Sequence, residues 1–277
     1  MLKNKNKLIL ASFMIIATFM FTGCKSIDEI KVKLGVKNNN FEYIKQGRIK
    51  KIIIQSTRDK SFRFVVTDEI AIKELYDILS TSKEVKKKST LDPDYIFEMY
   101  EGVNKIYKFN YVAGLDKRDG ANLYSADKSY IVSKRIDNDI IKNFWNIRKP
   151  IDFKTVYYDS ISKVLDKYIK GDIKNKKILL NISEDTEVSK FILSTDLDSF
   201  KNRLIKDYNT TLTKDKNAAY DVLVSVKTQG YKATIYKSVI SIKTSLNAKE
   251  KIYYVVGKYD KGLWNIDLFE DVKPTGF

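Results

Sequence analysis

The chain has no histidine and a single cysteine among its 277 residues. The first absence removes Ser-His-Asp and Cys-His catalysis, His-ligated zinc and the commonest general base near neutral pH. With one thiol no disulfide can form within the chain. There are only three prolines, and no glycine-rich phosphate loop appears. Enzymatic chemistry, were there any, would rest on Asp, Glu, Lys, Tyr or Ser. Long apolar runs are also missing. The longest, from Leu8 to Phe21, is 14 residues interrupted by Ser12 and Thr18, short of the roughly 20 that a transmembrane helix needs.

What is present supports folded cores. Apolar residues make up 43% of the chain and aromatics 12%, which argues against a disordered chain. The length allows one large domain or two ordinary ones. Net charge is +16, which invites an anionic partner such as lipid headgroups, wall polymer or nucleic acid. A composition biased toward Lys, Asn and Ile codons is the competing account, because the lysines are scattered among acids. The densest cluster, Lys86-Lys87-Lys88, falls in an expected loop.

The N-terminus reads as an address. Lys3, Lys5 and Lys7 precede the apolar stretch, and Phe21-Thr22-Gly23-Cys24 follows it. This arrangement resembles a bacterial lipoprotein signal peptide ending in a lipobox, with Phe21 in place of the usual aliphatic residue. The resemblance implies cleavage between Gly23 and Cys24 and a diacylglycerol on the Cys24 thiol. It also implies anchorage to the outer face of the cell membrane; the codon-biased composition fits a Gram-positive-type envelope. One acyl chain holds marginally and two hold firmly, since each buried methylene contributes about 0.8 kcal/mol. The mature chain would be residues 24–277, carrying 48 basic and 35 acidic residues, or +13. Residues 24–46, with Asn38-Asn39-Asn40, read as a tether.

The remainder predicts an α+β fold of two small domains, each an antiparallel sheet packed with one or two helices. The first spans 47–149. Strands are expected at 49–55 and 61–66 around Thr57-Arg58-Asp59-Lys60. A helix capped by Thr67 or Asp68 follows, with Ile72, Leu75, Tyr76 and Leu79 as its inward stripe. Asp92-Pro93-Asp94 marks a turn, and strands at 95–101 and 105–112 flank Gly102-Val103-Asn104. Short strands near 122–124 and 128–132 come next, then a helix from Asp137 burying Ile140, Ile141, Phe144 and Trp145. This order resembles the YhfM-like domain of uncharacterised lipoproteins. The resemblance rests on Thr67-Asp68, Asp92-Pro93-Asp94-Tyr95 and Tyr130-Ile131-Val132-Ser133, and it implies an envelope module without an assigned activity.

The second domain, 151–277, opens with a helix over 153–169, capped by Asp152 and stopped by Gly171. Strands at 177–182 and 188–193 precede a helix starting near Thr195. Four strands then run at 219–228, 234–244, 251–258 and 263–269. The alternation of Val222, Val224 and Val226, and of Trp264, Ile266 and Leu268, predicts antiparallel strands wetted on one face. Helices followed by this meander resemble a cystatin or NTF2-like roll.

Three local patterns suggest chemistry. Ser160-Ile161-Ser162-Lys163 matches the S-x-x-K of penicillin-binding enzymes but lacks its K-T-G partner, since Lys243-Thr244 is followed by Ser245; both residues are expected on a solvated helix face. Asp92 with Asp94, and Glu184 with Asp185 and Glu187, offer carboxylates but not the spacing of a calcium loop, so no metal and no cofactor is expected. Tyr231, Tyr236, Tyr253, Lys258 and Tyr259 interleave aromatic and basic residues. On one sheet face they would form a ligand platform; as ordinary sheet tyrosines they would be half buried.

These features point to a non-enzymatic, lipid-anchored binding or interaction module. Its partner would be an envelope protein or anionic wall polymer, and not nucleic acid. The alternatives are an envelope glycan hydrolase working through paired carboxylates, or a solute-binding lipoprotein.

Overall fold

The computed structural model describes residues 31–116, 119–142, 148–169, 176–215 and 217–277, with the backbone alone for 247–249. These residues form a seven-stranded and a six-stranded sheet, each over its own apolar core.

The first unit runs α1 (Glu42–Lys45), β1 (Ile49–Ser56), β2 (Arg63–Val66), α2 (Glu69–Ser80), β3 (Lys83–Glu84), β4 (Tyr95–Glu101), β5 (Lys105–Tyr111), β6 (Leu123–Tyr124) and β7 (Ser129–Ile131). Its strands lie in the order β2-β1-β4-β5-β6-β7-β3, with antiparallel ladders throughout. The α2 stripe is buried as its spacing predicts. Asp68 supplies the cap, accepting from Ala71 N at 2.8 Å. The helix expected from Asp137 is a π-helical turn, Ile136–Ile141, which buries Ile136, Ile140 and Ile141; Phe144 and Trp145 lie outside the described residues.

The expected tether is shorter than residue 46. Phe41 and Ile44 are in the first core, and the Phe41 ring lies 5.0 Å from Tyr130 and 5.9 Å from Phe109. The Asn38 amide donates to the carbonyls of Leu79 and Ser82 at 3.0 and 2.9 Å. An asparagine run that looks like a linker is here a set of turn and docking groups, because the next turn carries two apolar anchors.

The second unit contains α3 (Phe153–Tyr168), β8 (Ile178–Asn181), a single 3₁₀ turn (Ser189–Phe191), α4 (Ser194–Tyr208), β9 (Thr210–Thr213), β10 (Val222–Lys232), β11 (Ile235–Thr244), β12 (Asn247–Asp260) and β13 (Leu263–Glu270). The order is β13-β12-β11-β10-β8-β9. The meander β10–β13 is antiparallel, whereas β8 pairs parallel with both β10 and β9, so the sheet is mixed. Two expectations fail here. Residues 188–193 are not a strand: Val188, Phe191 and Ile192 are buried at i, i+3 and i+4, a helical spacing. The unexpected β9 is an edge strand made by a short threonine-rich run.

The β12–β13 connection is the two-residue loop Lys261-Gly262, with φ of 48° and 85°. Positive φ at both positions is the type I′ signature, which suits glycine at the second. Helix α3 packs closely on the meander: a Cβ at Gly257 would lie 2.9 Å from Val156 Cγ2. Among the described residues no helix is long and apolar enough to cross a membrane.

Candidate functional site

The two units are joined by one buried carboxylate. Asp94 sits just before β4, and its side chain is 1% exposed. Its Oδ1 accepts from Arg58 Nη1 at 2.6 Å and from Ser194 N, the first residue of α4, at 2.8 Å. Its Oδ2 accepts from Ala113 N at 2.9 Å. Ser194 Oγ then accepts from Arg58 Nη2 at 2.6 Å and donates to the Asp92 carbonyl at 2.7 Å. Leu193 cannot cap α4 with its side chain, so a residue 100 positions away in sequence fills that role. Thr195, where the helix was expected to start, donates its hydroxyl to Ala113 O at 3.3 Å. Burial pushes the Asp94 carboxyl above its ordinary range, while Arg58 and the two backbone N–H groups act against that shift.

Beside this tie lies a cleft of about 610 Å³ walled by both units, within the size range of small-ligand sites. The first unit contributes Tyr95, Gly114, Asp137 and Lys142, and the second Asp152, Phe153, Lys154, Phe191 and Asp196. Lys149, from the segment between them, lies with Nζ 5.6 Å from the Phe191 ring centre and 6.0 Å from that of Phe153. Burial pulls the Lys149 ammonium down, against the pull of Asp196 and Asp152. Burial raises Asp196, opposed by Lys154 and Lys149. Asp137 is held in place by Tyr111 Oη at 2.9 Å and Gly114 N at 3.0 Å. A smaller groove of about 300 Å³ shares Lys154 and Asp196 and continues past Tyr158, Phe200 and Arg203. The cleft therefore has an aromatic floor and a rim bearing charges of both signs.

Two helices begin at this cleft. Asp152, expected to cap α3, adopts a left-handed φ of 45° and makes no side-chain cap bond. The start of α3 is secured instead by Trp264 Nε1, which donates to Ile151 O at 2.7 Å.

The tyrosine-lysine platform does not form. Tyr236 and Tyr253 are 0% exposed and belong to the second core. Strand alternation puts them on the helix-covered face, where Tyr236 Oη bonds Thr228 Oγ1 at 3.0 Å. Tyr231 stacks edge-on against Phe191 at 5.6 Å, and Tyr259 packs on Trp264 at 5.3 Å. Of the five only Lys258 is exposed, so they share no open face.

Ser160, expected on a solvated face, is buried, and its hydroxyl donates to the Val156 carbonyl at 2.6 Å; Lys163 Nζ bonds the Ile266 carbonyl at 3.2 Å. The pair Asp92 and Asp94 is split, since the Asp92 side chain is 76% exposed and faces Lys214 at 3.7 Å. Of the Glu184, Asp185 and Glu187 cluster, Asp185 is buried and accepts from Thr228 N and Oγ1 at 3.0 and 2.8 Å. Among the described residues no three His, Cys, Asp or Glu side chains are grouped to hold a metal ion. Cys24 and Gly23 lie outside the described residues.

Asp94 and Asp152 were legible only as turn and cap residues, and Asp196 carried no signal of its own. Asp152 and Asp196 meet at one cleft from 44 positions apart, and Asp94 reaches Ser194 across 100, separations that no local pattern spans.

Residues 45–150 match the family model described as YhfM protein. The first unit is a YhfM-like domain. Its matched span holds the whole first sheet and ends at Pro150, on the cleft wall. The YhfM-like domain thus supplies Arg58 and Asp94 to the tie and one wall to the cleft, while the other wall comes from residues beyond the match. No curated protein and no solved structure matches the chain.

Proposed function

We propose that the chain is a non-catalytic, lipid-anchored binding protein on the outer face of a Gram-positive-type cell membrane, with its ligand held in the cleft between the two units. The anchor is the diacylglycerol expected on Cys24, preceded by cleavage after Gly23; the basic and then apolar N-terminus supports it. The observation that carries the binding reading is the cleft itself. Its walls come from two separate cores, and a buried ion pair beside it sets their mutual position. The helices and meander of the second unit support the likeness to a cystatin or NTF2-like roll, although its parallel β8–β10 pair departs from a pure meander.

A photoreactive amino acid at Lys154 in the intact, anchored protein tests the reading. It should capture a ligand that the same group at the 96%-exposed Leu246, which does not line the cleft, does not. Identical adducts, or none, at both positions would overturn it. In the same cells Cys24→Ser should abolish palmitate incorporation and leave the precursor uncleaved.

A second reading keeps the cleft but makes it hydrolytic. Asp152 and Asp196 line one wall, and Asp152 adds to the upward shift of the Asp196 carboxyl, as paired-carboxylate chemistry requires. Release of reducing ends from envelope glycan, lost in Asp196→Asn, would favour it.

A further inference from the structure

We infer that the open edge of β5 is a docking site for an extended peptide segment of a partner protein, bound as an added strand. The site lies wholly in the first unit and shares no lining residue with the cleft between the units.

Along its whole length β5 is paired with β4. On its other side only Asn110 and Tyr111 meet β6. The main-chain groups of a strand face its two neighbours alternately. Val112 N donates to Asn122 O at 2.8 Å, so Asn110, Lys108 and Ile106 direct their main chain to the same side. Past the end of β6, Lys108 and Ile106 therefore present N–H and C=O groups without a partner among the described residues. A cavity of about 670 Å³ lies along this edge. Its core-side wall is aromatic: Tyr107 stacks on Tyr43 at 4.0 Å, and Phe109 lies 6.4 Å from Tyr130. The turn between β6 and β7, from Ser125 to Lys128, borders it.

Donors and acceptors at strand spacing are matched by another main chain, and every second side chain of that chain meets the aromatic wall. Charge is not the basis of recognition. Lys108 already pairs with Glu98 at 3.4 Å, and Lys128 donates to Asn40 Oδ1 at 2.9 Å. The edge strand β13 offers a contrast, because Lys163 Nζ covers its Ile266 carbonyl, a common way to blunt an edge. Among the described residues no side chain covers the Ile106 or Lys108 carbonyl in this way. A slot bordered by a turn and by Tyr43 favours an isolated extended segment over the sheet edge of a second copy.

Amide hydrogen exchange, read by NMR on residues 24–277 carrying Cys24→Ser, tests this with acetyl-Val-Thr-Val-Thr-Val-amide. In the free protein the Ile106 and Lys108 amides should exchange fast, while those of Tyr107 and Phe109, directed to β4, are protected. Saturating peptide should slow Ile106 and Lys108 about tenfold. When the valines meet the aromatic wall, the threonine N–H groups face β5. N-methylation of both threonines should therefore abolish the slowing, and N-methylation of the central valine should not. Lys108→Ala should bind as the native chain does. Lys108→Pro, which loses the edge N–H but no ladder bond to β4, should not bind; if it does not fold, the two methylated peptides decide. No slowing at millimolar peptide overturns the inference, as do equal effects of the two methylated forms. Protection of Ile106 and Lys108 in the free protein also overturns it, since the edge would then be filled by the chain itself or by a second copy. None of these results bears on the cleft, which capture at Lys154 reads separately.

Discussion

Replacing Asp94 by alanine should cost more stability than any other single carboxylate in the protein and should loosen the two units from each other. The side chain is almost wholly buried, and it receives Arg58, Ala113 N and Ser194 N within 2.6–2.9 Å. Removing one partner of a buried pair leaves the other uncompensated, at about 3–5 kcal/mol. Arg58 retains Ser194 Oγ, which relieves part of that cost. The two backbone N–H groups lose their acceptor, at about 1–3 kcal/mol each where no water replaces it. These contributions overlap, so a total of about 4 kcal/mol is expected. For a chain of this length that lowers Tm by about 8–16 °C. Asp94→Asn keeps one acceptor oxygen and should fall between, at about 2–3 kcal/mol.

The assay is urea unfolding followed by tryptophan fluorescence and by far-ultraviolet circular dichroism. With Trp145 replaced by phenylalanine in every chain compared, Trp264, which sits against the start of α3, reports on the second unit, while the dichroism reports on both. In Asp94→Ala the two signals should separate into distinct transitions, because α4 loses its cap and its tie to the first unit together. A loss below about 1 kcal/mol with coincident transitions would refute the argument.

Two further outcomes follow from the first unit. Phe41→Ala should cost about 3–5 kcal/mol, measured by chemical denaturation, because the ring is fully buried against Phe109 and Tyr130; a neutral effect would mean that the tether does extend to residue 46. Glu101 accepts from Tyr107 Oη at 2.6 Å and Arg48 Nε at 2.8 Å, and these bonds hold its carboxyl down to about 2 from 4.5. A lowered folded-state pKa contributes stability above the ordinary value that is lost as pH falls toward 2. The stability advantage of the native chain over Glu101→Gln should therefore be steady above about pH 4.5 and vanish toward pH 2 in urea titrations; an advantage that grows on acidification would contradict the assignment.

Local signals carried much of the architecture. The period of two in Val222, Val224 and Val226, the helical stripe from Ile72 to Leu79, and the turn glycines mark elements found close to where they were expected. They succeed because burial of one face and the backbone demands of a turn are satisfied within a few residues. Where two local readings competed, local information misled. The run from Val188 to Leu193 was apolar enough for a strand, yet its spacing packs as a single turn. The tyrosines at 231, 236, 253 and 259 looked like a platform because composition records residue type without the face it occupies.

By itself, then, the sequence determined the α+β class, the two cores, the meander and the chemistry that is closed for want of histidine. Tertiary structure alone decided the parallel pairing of β8, the capping of α4 by Asp94 and the meeting of Lys149, Lys154, Asp152 and Asp196 around one cleft. The physical reason is range. Propensity, periodicity and turn geometry act over a few residues. A buried charge instead finds its partners wherever the packed chain brings donors to it, here 36 and 100 positions away.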